Sequence, residues 1–299
     1  MRWVWIVIGI IFISGAFLWW KSQWTEVPQY NQNSSSSVSQ VERPAKKKPV
    51  RNWDVLDPEV KAEAALVYSL DDNLAFYSYR TYKQWPIASI TKLLTAAVSL
   101  DTFGPNAKVA ISDKAITTEG NSGDLKSGEV YPLRDLVKIL LLSSSNDAAV
   151  AIEEFAGGRE KFIPDLNKRA EALGMSQTSI EEPSGLSPKN ISSATDLLAL
   201  TRFVVEREPE IFSWTRLENL LVQPLNSSDS RIVQNINPLI LESDFLGGKT
   251  GTTPEARQNL VAVFSFEKRR VAVVILGSPD RLGETRKLLD WVRRAYELQ

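Results

Sequence analysis

Ser89 and Lys92 stand three residues apart, and their types fit a serine nucleophile with a lysine base in a sequence that has no histidine and no cysteine. A serine hydroxyl is a weak nucleophile at neutral pH and needs a neighbouring base, most often histidine. The missing residue types exclude a Ser-His-Asp arrangement, a thiol nucleophile and a Cys/His zinc site. Lysine can serve instead if burial or a second cation, for which Lys249 is the obvious candidate, lowers its pKa.

A helix is the element that would bring this pair together. Residues three apart lie on one helical face, so Ser89 Oγ and Lys92 Nζ can meet across one turn. Residues 89–100 contain no Gly or Pro, and Pro86 disfavours helix just upstream. The apolar residues of this segment follow helical spacing: Ile90, Leu93, Leu94, Ala97 and Val98. We therefore predict that Ser89 lies in the first turn, where free backbone N–H groups can stabilise an oxyanion.

Two further strings, Ser144-Ser145-Asn146 and Lys249-Thr250-Gly251, contain polar side chains that could complete such a site. Each string alone has a simpler interpretation. Ser144 and Asn146 stand between two predicted apolar helices, 133–142 and 148–155, and are typical of a helix start. The third string is typical of a glycine turn, and Ser89 with Lys92 is compatible with a helix cap beside a solvated lysine.

The order of the three strings along one chain is far more specific than any of them alone. Serine-x-x-lysine, then a serine-containing triplet that ends in asparagine, then Lys-Thr-Gly is the signature of class A β-lactamases and penicillin-binding proteins. The chain resembles one branch in particular, the D-alanyl-D-alanine carboxypeptidases, which are low-molecular-weight penicillin-binding proteins. The segments that carry this resemblance are residues 86–95, 142–149, 172–175, 182–187 and 248–253.

The resemblance implies a role for each residue of the first two motifs. Ser89 resembles the nucleophile that forms an acyl-enzyme with the penultimate D-alanine, and Lys92 resembles the base that activates it. Ser144 resembles the hydroxyl that relays a proton to the leaving amine. Asn146 resembles the side chain that holds the substrate backbone and Lys92.

The third motif resembles the part of the family site that binds the end of the substrate. Lys249 and Thr250 would meet the terminal carboxylate, since a cation and a hydroxyl can both donate to an anion. Gly251 would let the strand approach the ligand closely, and the Thr252 N–H would form the oxyanion hole with that of Ser89. The implied partners are peptidoglycan peptides and β-lactam antibiotics. No phosphate-binding glycine loop or carboxylate metal cluster stands out, so we expect no cofactor and no metal.

The sequence leaves three other functions open. A β-lactamase shares the motifs and would use an additional glutamate, for which Glu181 and Glu182 are candidates, although the following Pro183-Ser184-Gly185 resembles the carboxypeptidase loop. A DD-endopeptidase would cut cross-links by the same chemistry. A wall-binding protein without turnover would keep the fold alone. The near balance of 35 basic and 36 acidic side chains argues against a nucleic-acid partner.

Composition divides the chain into three parts: residues 1–22, 23–52 and 53–299. Residues 3–20 carry no charged side chain, and a helix of about eighteen residues is roughly 27 Å long, close to the roughly 30 Å hydrocarbon thickness. We predict a transmembrane anchor in 1–22, with a cleaved signal peptide as the alternative, and a catalytic domain on the extracytoplasmic side of the cell membrane, or secreted after cleavage.

Residues 23–52 are rich in serine, proline and lysine, which predicts a disordered linker. The lysine cluster 46–48 is interpreted as part of this linker rather than as a site for anionic lipid or wall polymer.

Residues 53–299 predict an α+β domain, with an antiparallel sheet flanked by helices and an inserted helical lobe, as in the serine-β-lactamase and DD-peptidase fold. Residues 64–68 and 74–77 form one predicted hairpin, 259–266 and 270–276 form another, and 283–298 forms a closing helix. Many family members carry a further β-rich domain, so this chain resembles a catalytic domain alone. Arg257 stands where a small residue is expected, and we interpret it as a surface arginine rather than a second cation for the substrate carboxylate.

Overall fold

A five-stranded antiparallel sheet lies at the centre of the computed structural model, which describes residues 47–120 and 122–298. In spatial order the strands are β10 (Phe245–Thr253), β11 (Arg257–Phe266), β12 (Arg269–Ser278), β2 (Ala64–Ser69) and β3 (Leu74–Tyr79). Strands from the two ends of the described chain meet where Val274 of β12 pairs with Leu66 of β2. The predicted sheet with strands from both ends of the domain is therefore confirmed, and the α+β fold with it.

Both predicted hairpins are present, and residues in their turns adopt the left-handed conformation with positive φ angles. Asn73, between β2 and β3, has a φ of 53°. Asn is one of the few residues that adopt this conformation readily. Glu267 and Lys268, between β11 and β12, have φ values of 45° and 64°. Two consecutive positive φ angles match the right-handed twist of a tight hairpin.

Helices cover one face of the sheet and form the lobe that the sequence predicted between the terminal strands. The helices of this lobe are α1 (Thr91–Phe103), α2 (Asp113–Ile116), α3 (Leu133–Leu142), α4 (Asn146–Phe155), α5 (Arg159–Ala172), α6 (Ala194–Arg207) and α7 (Pro209–Trp214). The first ten residues of α1 are all buried, so α1 is the centre of the lobe. A last helix, α8 (Arg281–Ala295), packs on the opposite face.

Two hydrophobic cores result from the alternation of side chains along the sheet. On β12, Ala272 and Val274 face the helical lobe. Val273 and Ile275 face α8, where they pack with its buried Trp291. Because apolar residues occupy both faces, these strands are continuous hydrophobic runs rather than alternating ones.

Short strand pairs connect the loops around this centre. They are β1 (Pro49–Arg51) with β13 (Tyr296–Leu298), β4 (Trp85–Pro86) with β7 (Ile191–Ser192), β5 (Lys108–Ala110) with β6 (Val130–Pro132), and β8 (Asn219–Val222) with β9 (Arg231–Gln234). The predicted helix 283–298 is wrong at its end, because Tyr296–Leu298 pairs with Pro49–Arg51 as a strand. The same pairing places ordered backbone inside the range 23–52 that the sequence assigned to a linker.

The helix that carries the predicted site begins two residues later than expected. Ser89 lies in a separate 3-10 turn, Ala88–Ile90, and α1 starts at Thr91. Ala88 is held at a φ of 48°, and the Thr91 hydroxyl donates to its carbonyl at 2.8 Å. The left-handed residue prevents the helix from extending further back.

No helix within residues 47–120 and 122–298 is long and apolar enough to cross a membrane. The predicted anchor, 1–22, lies outside the described residues, and so does most of the predicted linker.

Candidate active site

Ser89 is presented by a turn that is pressed between two other elements. The Ile87 N–H donates to the Asn190 carbonyl at 2.9 Å, which ties the turn to the loop before β7. On the other side, a Cβ on Gly251 would lie 2.7 Å from the Ile87 oxygen and 3.0 Å from the Ser89 nitrogen. Ser89 itself is half-buried, where the edge of the sheet meets the helical lobe, and this junction is the candidate cleft.

Lys92 lies in the first turn of α1 and is completely buried. Its Nζ lies 2.9 Å from Ser89 Oγ, 2.7 Å from Asn146 Oδ1 and 2.5 Å from the Ser184 carbonyl oxygen. The one-turn spacing of serine and lysine in the sequence therefore produces the predicted contact. Ser89 and Lys92 are a hydrogen-bonded pair rather than a cap with a solvated lysine.

These three oxygens determine where the lone pair of a neutral Lys92 points. An uncharged amine has two N–H donors and one lone pair. Asn146 Oδ1 and the Ser184 carbonyl can only accept, and the amide of Asn146 is oriented by donation from its Nδ2 to the Glu119 carbonyl at 2.7 Å. Both N–H groups are therefore used by these acceptors. The lone pair faces Ser89 Oγ, the only one of the three that carries a proton.

Burial also supplies the neutral amine. Desolvation lowers the pKa of Lys92 from its usual 10.5 to about 7, against the opposing charges of Glu182 and Asp147, which raise it. A large fraction of Lys92 is then uncharged at neutral pH. Geometry and electrostatics together fit the role of a general base for Ser89.

The segment Ser144–Asn146 joins α3 to α4 and turns sharply at Ser144, whose φ is 57°. Ser145 caps α4 by accepting from the Ala148 N–H at 2.9 Å. Asp147 accepts from the Gly123 N–H at 2.9 Å and so binds a neighbouring loop to the helix start. A helix does start here, with Ser145 as its cap and Asn146 as its first residue, and the turn leaves the side chains of Ser144 and Asn146 directed at Lys249 and Lys92.

Lys249, on β10, connects the sheet to this segment. Its buried Nζ donates to Ser144 Oγ at 3.0 Å and to the Thr250 carbonyl at 2.8 Å. Desolvation lowers its pKa well below the usual value, and the nearby cations Lys92 and Arg281 lower it further. An arriving carboxylate would favour the charged form again, which suits a site that binds an anion.

β10 is the outermost strand of the sheet, so one side of its backbone is available to an extended ligand. The Gly248 N–H points away from β11, since it donates to Thr215 Oγ1 at 2.9 Å. Backbone groups alternate along an antiparallel strand, so the N–H groups of Thr250 and Thr252 point to the same outer edge. Because Gly251 packs on the Ser89 turn, the Thr252 N–H and the Ser89 N–H lie at one end of the cleft, where an oxyanion hole is expected.

Arg281 is a residue of this site that the sequence did not reveal. Its Nη1 donates to Thr252 Oγ1 at 2.6 Å and to the Gly251 carbonyl at 3.0 Å. Its buried Nε has no hydrogen-bond partner among the described residues, and desolvation lowers the pKa of the guanidinium. No short motif marks it, because it reaches the strand only through the fold, as the first residue of α8.

The side chain of Arg257 pairs with Glu63, in agreement with its interpretation as a surface residue. Its Nη1 is 3.3 Å from Glu63 Oε1, and Glu63 also pairs with Lys83 at 2.7 Å. The second cation beside the Lys249-Thr250-Gly251 strand is therefore Arg281 and not Arg257.

Comparison with known proteins shows which sequences and which fold this chain resembles. The family profile described as D-alanyl-D-alanine carboxypeptidase matches residues 52–280. The chain is 32% identical over 265 residues to a D-alanyl-D-alanine endopeptidase of Pseudomonas aeruginosa, an alignment that covers 82% of this chain and 84% of the relative. It is 28% identical over 249 residues to a D-alanyl-D-alanine carboxypeptidase of Bacillus subtilis, covering 79% of this chain and 63% of the relative. The chain thus spans less than two thirds of the latter protein's length.

A solved structure gives the same result for the fold. The crystal structure of a D-alanyl-D-alanine carboxypeptidase from Mycobacterium tuberculosis superimposes with a TM-score of 0.75 at 26% identity. The match covers 82% of this chain and 96% of that one.

Proposed function

This chain belongs to the family of D-alanyl-D-alanine carboxypeptidases, and we propose that Ser89 is the nucleophile with which it removes the terminal D-alanine of peptidoglycan stem peptides. The observation that carries this assignment is the set of three oxygens around Lys92 Nζ, which directs the lone pair of the amine at Ser89 Oγ. Serine-type acyl transfer needs this pairing of a hydroxyl with a base that is neutral at physiological pH.

In the first step, Ser89 Oγ bonds to the carbonyl carbon of the penultimate D-alanine while its proton passes to Lys92 Nζ. The carbonyl oxygen becomes an oxyanion, which the N–H groups of Ser89 and Thr252 stabilise. The C–N bond then breaks, and the leaving nitrogen takes a proton from the Ser144 hydroxyl. Lys249 resupplies Ser144 across their 3.0 Å hydrogen bond. The proton gained by Lys92 offsets the one given by Lys249, so the charge of the lysine pair is unchanged.

As the free D-alanine leaves, Lys92 gives its first proton to solvent and Lys249 regains one from solvent. In the second step, water attacks the acyl carbon and gives a proton to the neutral Lys92. Ser89 Oγ leaves with a proton from the same lysine. The terminal carboxylate of the arriving substrate is bound by Lys249, Thr250 and Arg281, which together offer two cations and a hydroxyl before Lys249 gives up its proton. Arg281 supplies the planar donor group that suits a carboxylate.

Endopeptidase action on cross-linked peptides is the second candidate, favoured by the similarity to the Pseudomonas aeruginosa endopeptidase over 84% of its length. The bond attacked is of the same kind, so the residues above keep their roles. Mass spectrometry of products from purified muropeptides separates the two. Loss of one D-alanine means carboxypeptidase, whereas monomers released from dimers mean endopeptidase.

β-Lactamase action is disfavoured by the surroundings of Glu182. Its carboxylate accepts hydrogen bonds from the Ser184 and Gly185 N–H groups and from the Asn190 amide, so its oxygens are committed to its own loop. The lifetime of the penicillin adduct tests this. Persistence for minutes agrees with a penicillin-binding protein, and loss within seconds with a β-lactamase.

For localisation, we propose that residues 1–22 anchor the protein by crossing the cell membrane once. The catalytic domain then lies on the extracytoplasmic side. This proposal rests on the uncharged run of residues 3–20 and its terminal tryptophans. Alkaline extraction of membranes from cells that produce the full chain tests it. Retention in the membrane pellet supports an anchor, and release argues for a cleaved segment.

Labelling of the full chain with a fluorescent penicillin tests the assignment of Ser89. We expect one labelled site in the wild type and none in Ser89→Ala. Ser213→Ala is the matched control, because Ser213 is exposed and its hydroxyl donates to the Glu210 carbonyl of its own helix, α7. Label that persists in Ser89→Ala would overturn the assignment.

A further inference from the structure

Glu182 is a buried carboxylate that the acyl-transfer steps above do not use. Its oxygens accept from the Ser184 N–H at 2.7 Å, the Ser184 hydroxyl at 2.6 Å, the Gly185 N–H at 2.5 Å and the Asn190 amide at 2.9 Å. The Ser187 N–H adds a longer contact at 3.3 Å. These groups all donate, so the carboxylate is held as an anion. Among the ion pairs of the described residues none involves Glu182, although only 8% of its surface is exposed.

A single peptide unit separates this anion from the base. The Ser184 carbonyl accepts from Lys92 Nζ at 2.5 Å, and the N–H at the other end of the same peptide bond, that of Gly185, donates to Glu182 Oε1 at 2.5 Å. A negative charge on the N–H side polarises the amide and makes its carbonyl a stronger acceptor. The peptide between Ser184 and Gly185 therefore transmits the charge of Glu182 to Lys92.

This peptide is also fixed in space against the nucleophile. Gly185 has a φ of 91°, and a Cβ there would lie 2.1 Å from the Ala88 oxygen and 2.7 Å from the Ser89 nitrogen. The Asn190 amide, which donates to Glu182, also donates to Thr91 Oγ1 at 3.1 Å. The loop is thus clamped to the turn that carries Ser89, so a shift of Glu182 would move the acceptor on which Lys92 depends.

We propose that Glu182 is a positioning residue for the base: it fixes the Ser184–Gly185 peptide against Lys92 and sets the pH above which Lys92 can activate Ser89. The proposal rests on the proposed function, because it takes Lys92 as the base. Glu182 acts only through Lys92 and touches neither the nucleophile nor, as its committed oxygens indicate, the attacking water.

The charged groups that act on Lys92 come from three elements. Glu182 in the loop before β7 and Asp147 in the first turn of α4 both favour the ammonium form, and Glu182 has the larger effect. On the third element, β10, Lys249 lies in the same buried cluster; desolvation lowers its own pKa, and the charges of Lys92 and Arg281 lower it further. Removal of the Glu182 charge therefore favours the neutral amine at lower pH. The acidic limb of the pH-rate profile, where the acylation rate rises with pH, should then have its midpoint at a lower pH. A residue that only held the loop would lower the rate equally at each pH.

The test is the second-order rate constant for acylation of the full chain by a fluorescent penicillin, measured from about pH 5 to pH 9. For Glu182→Gln we expect the midpoint of the acidic limb to fall by roughly one pH unit. Glu182→Asp keeps the charge, so the midpoint of its acidic limb should equal that of the wild type. Its plateau acylation rate should be lower, because the shorter side chain holds the Ser184–Gly185 peptide less well. Glu181→Gln is the matched control, since Glu181 is exposed and pairs with Lys189, so it should leave limb and plateau unchanged.

The outcomes separate this proposal from the function on which it rests. A wild type that penicillin does not label overturns the function itself. If penicillin labels the wild type but the midpoint of the acidic limb in Glu182→Gln is unchanged or lies at higher pH, the proposal alone is overturned. If circular dichroism shows that Glu182→Gln does not fold, the neutral variant Glu182→Asn is measured instead: a midpoint at lower pH than in the wild type supports the proposal, and an unchanged midpoint overturns it.

Discussion

Lys249 Nζ donates a hydrogen bond to Ser144 Oγ at 3.0 Å, and this contact joins the edge of the sheet to the helical lobe across the cleft. Because the Ser144 oxygen accepts from a cation there, its own proton must point elsewhere, and the open direction is the cleft. We therefore expect Ser144 to act as a proton donor, with Lys249 placed to resupply the proton.

Replacement of Ser144 tests this orientation. We expect Ser144→Ala to lower the release of D-alanine from a stem-peptide substrate by roughly 10² to 10⁴-fold, since the leaving amine loses its proton source. Ser143→Ala is the matched control, because its hydroxyl donates to the Ile139 carbonyl within α3. Equal activity of the two variants would show that Ser144 has no part in proton transfer.

The pH dependence of acylation follows from the neutral amine. Burial lowers the pKa of Lys92 to about 7, so below that pH the amine is mostly protonated and cannot accept the Ser89 proton. We expect the acylation rate of the wild type to fall roughly tenfold per pH unit below a midpoint near 7 and to level off above it. Stopped-flow measurement with a chromogenic β-lactam gives this profile.

Removal of the amine should abolish the profile altogether. We expect Lys92→Met to lower the plateau rate by at least roughly 10²-fold, because no other base replaces it. Lys114→Met is the control, since Lys114 is mostly exposed and pairs with Glu154 at 3.6 Å. A Lys92→Met variant that acylates with the same pH midpoint would assign the titration to another group.

Gly251 should matter for acylation more than for stability. In Gly251→Ala the added Cβ would lie 2.7 Å from the Ile87 oxygen, so the turn that carries Ser89 must shift away from β10. We expect the acylation rate to fall by at least roughly tenfold, since small displacements of reacting groups cost rate steeply. Penicillin labelling kinetics measure the rate, and thermal unfolding measures the stability.

Gly174→Ala provides the contrast for this prediction. Gly174 has a φ of 76° and open space around its Cβ position, so alanine there costs about 1 kcal/mol of stability through backbone strain alone. We expect unchanged acylation in this variant. If Gly251→Ala behaves in the same way, the close approach of β10 to the nucleophile has no catalytic importance.

The sequence predicted the parts of the site that depend on short spacings. Ser89 and Lys92 meet because one helical turn separates them, and helix α3 was predicted with its observed bounds because its apolar period is regular. Tyr296–Leu298 was predicted as helix because its pairing with Pro49–Arg51 depends on residues more than two hundred positions away. Local periodicity contains no signal for such a partner.

The same limit explains the two residues whose roles emerged only from the fold. Arg281 is the first residue of α8, which follows β12, and it contacts Thr252 on β10. No spacing rule connects these two residues in the sequence. Glu182 was noted in the sequence as a candidate for activating water. Its hydrogen bonds to its own loop, which local sequence does not specify, indicate a different role.

Arg281 provides the last prediction, which concerns the substrate carboxylate. Its guanidinium is fixed on Thr252 and beside Lys249, so we expect Arg281→Ala to weaken kcat/KM for a peptide with a free terminal carboxylate by roughly 10- to 100-fold, as for loss of a charge-assisted hydrogen bond. Most of the loss should appear in KM if the contact is equally strong in the ground and transition states.

Arg257→Ala is the control for this prediction, because Arg257 pairs with Glu63. A peptide whose terminal carboxylate is amidated supplies the second arm. The wild type should process it more slowly, and Arg281→Ala should discriminate less between the two peptides. An Arg281→Ala variant that prefers the free carboxylate as strongly as the wild type would assign recognition to Lys249 and Thr250 alone, and an effect of Arg257→Ala as large as that of Arg281→Ala would contradict the separation of the two arginines.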